Sequence, residues 1–142
     1  MYPLLWHAPW IHLRKDQDLL ESTQKFACKL MTKTWNRGYD ELLNMTNLPS
    51  LADRRLYLKL CSLYKIVYDL SYFPPDIVVP KVTRSYTSTP FTLYQPFAHT
   101  NCFLNSFIPH SVSHWNTLPE LVVSAPSLLT FKHSLKQYYY MY

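Results

Sequence analysis

The sequence predicts a mainly α fold: about five helices, two of them long and antiparallel, with a small extended or β-hairpin segment between the N-terminal and C-terminal helices. Two observations lead there. Runs beginning near Asp16 and Ser50 repeat apolar residues at helical spacing over several turns. Between them and the C-terminal part, Pro74, Pro75, Pro80 and Pro90 crowd a stretch rich in Ser and Thr, which reads as a loop or extended crossing. The chain thus divides into a helical region, 1–72, a Pro-rich crossing with a hairpin, 73–108, and a helical tail, 109–142.

Asp16 and Asp18 open the first helix, where acids suit the positive end of the helix dipole. Leu19, Leu20, Thr23, Phe26, Ala27, Leu30 and Met31 share one face and form its buried side. Lys29 and Lys33 suit the negative end, and Gly38 is placed as the C-terminal cap. A short second helix covers Tyr39 to Met45. Ser50 is the N-cap of the third, with Asp53 as a shortened capping-box partner. Leu56, Leu60, Leu63 and Val67 carry its apolar stripe to about Leu70, and this helix pairs antiparallel with the first. Phe91–Tyr94 and Cys102–Phe107 read as two strands of a loose hairpin. His110 to Asn116 forms a short helix behind Pro109, a residue tolerated in a first turn. Ser127 to Tyr139 is the last helix, with Leu128, Phe131 and Leu135 on one face.

Composition narrows the function. Of 142 residues, 48% are apolar and only 16% charged, which excludes wholesale disorder. Aromatics at 16% imply an apolar surface built to meet something else. The net charge of +5 permits nucleic-acid contact without demanding it. A single glycine excludes a P-loop or a dinucleotide fingerprint. Cys28, Cys61 and Cys102 lack paired spacing, so neither a disulfide framework nor a zinc finger is expected, and reduced intracellular thiols (cytoplasmic or nuclear) are the plain reading. No apolar run approaches the ~20 residues of a membrane span, and the N-terminal stretch lacks the features of a signal peptide.

Few constellations carry chemistry. Lys25, Lys29, Lys33 and Arg37 recur every fourth residue, a row that can track a phosphate backbone or simply face solvent. His110 and His114 have the i, i+4 spacing of zinc ligands, but the Glu and third ligand that complete such a site are missing, so no metal is expected. No motif joins the Ser, Cys and His residues into a nucleophilic triad. Trp115, Leu118, Val122, Leu128 and Phe131 read as packing residues.

Leu20-Glu21-Ser22-Thr23-Gln24-Lys25-Phe26-Ala27, Gly38-Tyr39-Asp40-Glu41-Leu42-Leu43, Leu48-Pro49-Ser50-Leu51 with Arg54-Arg55-Leu56, Asn105-Ser106-Phe107, Trp115-Asn116-Thr117-Leu118-Pro119 and Phe131-Lys132 follow one another in a distinctive order. In order and spacing the chain resembles the C-terminal, post-palm region of the reverse transcriptase of LINE-type, jockey-like non-LTR retrotransposons. The resemblance covers almost the whole chain. It implies a thumb-like role for 1–72, with the Lys25, Lys29, Lys33 and Arg37 row facing template and primer. It also implies a missing partner, the upstream polymerase domain. That family's chemistry needs carboxylates on a Tyr/Phe-x-Asp-Asp turn that hold two metal ions, and this chain has no Asp-Asp pair. The expectation is therefore a non-catalytic fragment of an RNA-directed DNA polymerase with no cofactor and no small-molecule substrate. It would brace the polymerase and contact RNA or DNA backbone. The alternatives are a stand-alone protein-interaction or nucleic-acid-binding module, and a decayed copy without function.

Overall fold

The computed structural model describes residues 14–74, 77–81 and 91–140. It is mainly helical, as the sequence predicts. Seven helices lie among the described residues: α1 (Arg14–Thr32), α2 (Tyr39–Thr46), α3 (Leu51–Val67), α4 (Asn101–Leu104), α5 (Phe107–Trp115), α6 (Glu120–Val123) and α7 (Leu128–Tyr140). The chain forms two compact units, 1–56 and 57–142.

In the first unit α1 packs on α2. Within this unit α1 reaches the first turn of α3 through Glu21. Glu21 lies between them. Its carboxylate accepts the Ala52 N–H at 2.7 Å and the Leu51 N–H at 3.4 Å, and it also accepts the Tyr39 hydroxyl at 2.5 Å. Arg55 adds a charge 3.6 Å away. A helix leaves its first N–H groups without intrahelical partners, and here an acid from another helix fills that need with the favourable sign of charge. The local cap expected of Ser50 is present too: its hydroxyl accepts the Asp53 N–H at 3.1 Å and lies 2.6 Å from the Asp53 carboxylate.

Anchored this way, α1 turns the wrong side inward by the sequence reading. Cys28 is fully buried, flanked by half-buried Gln24 and Lys25, while Leu19, Phe26, Leu30 and Met31 are all more than half exposed. The end of α1 also differs from expectation. Thr32 bonds back to the Cys28 carbonyl at 2.9 Å, and Lys33 takes the left-handed conformation (φ 53°) that stops the helix. Gly38, expected to cap α1, is instead the N-cap of α2 in extended geometry (φ −64°, ψ 161°).

The second unit is built on aromatic packing. Tyr64, on the buried face of α3, stacks on Phe131 of α7 with ring centroids 4.5 Å apart and on Tyr68 at 4.4 Å. Trp115 of α5 closes the cluster 5.7 Å from Phe131, and Leu60, Leu63, Val112 and Leu135 fill around it with no exposed surface. The buried hydroxyls need partners in such a place. Tyr64 donates to the Ala125 carbonyl and Tyr68 to the Val123 carbonyl, both at 2.7 Å, so α3 holds the end of α6.

No regular strand forms among the described residues. The hairpin expected from 91–94 and 102–107 is replaced by one antiparallel bridge between Pro80 and Leu93. The Lys81 N–H to Thr92 carbonyl and Tyr94 N–H to Val79 carbonyl bonds, each 2.8 Å, flank it. Pro80 therefore sits where the pair exchanges no hydrogen bond, the one register its missing N–H permits. On its other edge Leu93 meets a side chain: its N–H donates to Asn116 Oδ1 and its carbonyl accepts Asn116 Nδ2, both at 2.9 Å. Residues 102–104 fall in α4, which Thr100 caps by accepting the Phe103 N–H at 3.2 Å.

Candidate functional site

The basic row expected from sequence requires one helix running unbroken from Lys25 to Arg37. The left-handed turn at Lys33 breaks it. Lys25 and Lys29 remain on α1, one turn apart and half-buried. Lys33 is exposed in the turn, and Arg37 is exposed beyond it, 3.3 Å from Glu41 in an i, i+4 ion pair. The structure thus keeps two of the four cations together and directs the others elsewhere.

A second group of cations, not foreseen from sequence, lies in the second unit. Lys65 near the end of α3 and Lys132 and Lys136 on α7 all bring positive charge to bear on one thiol, Cys61. Burial nonetheless pushes that thiol up from its ordinary pKa, because desolvation of the thiolate outweighs the lysines and the hydrogen bond from Tyr57. The Lys136 ammonium stands 5.9 Å from the centre of the Tyr57 ring, a cation–π arrangement. Lys65 and Lys136 are exposed and Lys132 half-buried, while Cys61 is buried. The i, i+4 spacing on α7 was readable; that Lys65 of α3 joins them was not, because contacts between residues far apart in sequence, Tyr64–Phe131 and Tyr57–Lys136, bring those helices together.

His110 and His114 also share a face of α5, with ring centroids 4.7 Å apart. Burial lowers the pKa of both, and the nearby charge of Lys59 lowers it further; His110 falls to about 4. Both rings are therefore neutral at pH 7, and the buried Nδ1 of His110 has no hydrogen-bond partner. Among the described residues, no group of three or more His, Cys, Asp or Glu is placed to hold a metal ion. No helix of the described residues is long and apolar enough to cross a membrane.

No family model, curated protein or solved structure matches the chain.

The Trp115–Pro119 run and Phe131 have a clear structural place. Trp115, Leu118 and Phe131 belong to the core, and Trp115 Nε1 donates to the Phe91 carbonyl at 3.0 Å. Asn116 ties down Leu93, Thr117 donates to the His114 carbonyl at 2.7 Å, and Pro119 is the N-cap of α6. Each residue of the Trp-Asn-Thr-Leu-Pro run thus has a packing or hydrogen-bonding task in the fold.

Proposed function

We propose that this chain is a non-catalytic, C-terminal helical piece of a retrotransposon RNA-directed DNA polymerase, which braces the polymerase and holds RNA or DNA through its backbone. The observation that carries the binding half of this reading is that Lys65, Lys132 and Lys136 all lie near enough to Cys61 to act on its charge, with Lys136 over the Tyr57 ring. Phosphate oxygens need point charges at a surface, and lysines of two helices, fixed by a shared core, supply them without base specificity. The core placement of the Trp-Asn-Thr-Leu-Pro run supports the bracing half: those side chains hold the fold and are spent on it.

The test is fluorescence anisotropy with a labelled single-stranded RNA over a salt series. If three phosphates are neutralised, the log affinity falls with log salt at a slope of about −2.1. Lys65→Glu, Lys132→Glu and Lys136→Glu together abolish that slope, and Lys25→Glu with Lys29→Glu reads the contribution of the first unit. An affinity that neither set changes refutes backbone binding by this chain.

A further inference from the structure

Tyr57 of α3 is a half-buried ring with a cation over it: the Lys136 ammonium of α7 stands 5.9 Å from its centre. Further along α3, Tyr64 stacks at 4.5 Å on Phe131, which precedes Lys136 on α7. The two helices therefore run antiparallel where they meet. Tyr57, Cys61 and Tyr64 share one stripe of α3 at helical spacing, and the Tyr57 hydroxyl is hydrogen-bonded to the Cys61 thiol, which holds the ring from its far end. Lys132 lies one turn, about 6 Å, from Lys136, and Lys65 one turn on from Cys61. Neither residues 57–67 of α3 nor any part of α7 carries an Asp or Glu. The seam is thus basic, with no carboxylate on the stretches that form it, and it contains an aromatic ring. Cations alone suit a phosphate. A ring among them suits a ligand that carries a flat apolar group tethered to each phosphate, as a nucleic-acid strand does.

We propose that the α3–α7 seam is a single-strand site, in which Lys136 leaves the Tyr57 ring for a phosphate and a base takes its place on the ring. The strand is held by the backbone contacts already proposed, on which this rests; the ring adds the means to tell a single strand from a duplex. Both halves of the exchange are favourable. A base stacked on a tyrosine contributes more than an ammonium above an exposed ring, and the ammonium gains a charged oxygen as it departs. The flexible lysine stem allows the move without a change in either helix. Lys132 and Lys65 take neighbouring phosphates. A duplex keeps only the phosphate half of these contacts, because its base faces are covered by one another and cost energy to expose.

Fluorescence anisotropy on the full chain tests it with labelled probes: a single-stranded RNA, the same RNA annealed to its complement, and an abasic strand of equal length and charge. The base-bearing strand binds about tenfold more tightly than the abasic one. Tyr57→Leu removes about that tenfold advantage and leaves the abasic affinity, the duplex affinity and the salt slope as in the parent. Tyr57→Phe keeps a ring, and holds the single strand within about twofold of the parent. Equal affinity of the parent for the base-bearing and abasic strands overturns the inference without recourse to a variant. A Tyr57→Leu effect that is absent, or the same on every probe, overturns it too. In each of those cases a salt slope lost on reversing Lys65, Lys132 and Lys136 leaves backbone binding standing; a slope unchanged by that reversal removes both.

Discussion

Asn116→Ala is the most direct probe of how the second unit is held together. The Asn116 amide exchanges two hydrogen bonds of 2.9 Å with the backbone of Leu93, a residue only 4% exposed. It does for Leu93 what a neighbouring strand would otherwise do, on the edge opposite Pro80. Truncation leaves one N–H and one carbonyl of a buried residue without partners. At ~1–3 kcal/mol for each buried group left unmet, tempered by water reaching the partly open side, the loss is about 2–4 kcal/mol. For a unit of this size, 1 kcal/mol moves Tm by about 4 °C or more, so a fall of roughly 8–16 °C is expected in a thermal melt followed at 222 nm. Asn116→Asp separates the two bonds: it still accepts the Leu93 N–H but sets a carboxylate against the Leu93 carbonyl, and it should be no more stable than the alanine variant. If Asn116→Ala melts within about 2 °C of the parent, the amide is not a strand substitute and its place in the fold has been misread.

Other consequences are equally open to measurement. Glu21→Gln removes the charge that serves the start of α3, the Tyr39 hydroxyl and Arg55, and should cost about 1–2 kcal/mol in urea unfolding of the first unit. Tyr64→Phe keeps the aromatic stack but strands the Ala125 carbonyl, and should lower stability by about 1–2 kcal/mol without loss of helicity. Because His110 and His114 bind protons less readily folded than unfolded, stability is full above about pH 6.5 and falls as pH drops toward about 4, the folded value of His110. A His110→Leu/His114→Leu variant should show a shallower loss of Tm between pH 6.5 and 4.5 than the parent. Equal slopes in the two proteins would show that these rings do not drive the acid response.

The start of α3 was legible from its cap, Ser50, and that of α7 to within one residue: Ser127, read as its first residue, is followed by Leu128, and its hydroxyl accepts the Thr130 N–H. The side of α1 that turns inward was not. Periodicity finds a face that wants cover but carries no information on what covers it, and the Glu21 anchor settles the matter by holding the polar side against α2 and the start of α3. The Lys25–Arg37 row failed for a related reason: spacing of four means one face only if the helix continues, and nothing local to Lys33 announces its left-handed turn. The strand expected at Cys102–Phe107 yielded to Thr100, a local cap that outweighs a run of apolar residues. Short helices such as α6, held by distant hydroxyls from α3, have no local signature at all.

The placing of the three free thiols equips the molecule with clocks. Cys28 is sealed inside the first unit, Cys61 inside the second, and Cys102 is open to solvent. An alkylating reagent should therefore modify Cys102 at once and the other two only when their own surroundings open. If that opening equilibrates faster than labelling, each slow rate reads the opening free energy of one unit. A single quench series, resolved peptide by peptide, would reveal whether the halves of this chain loosen together or one before the other.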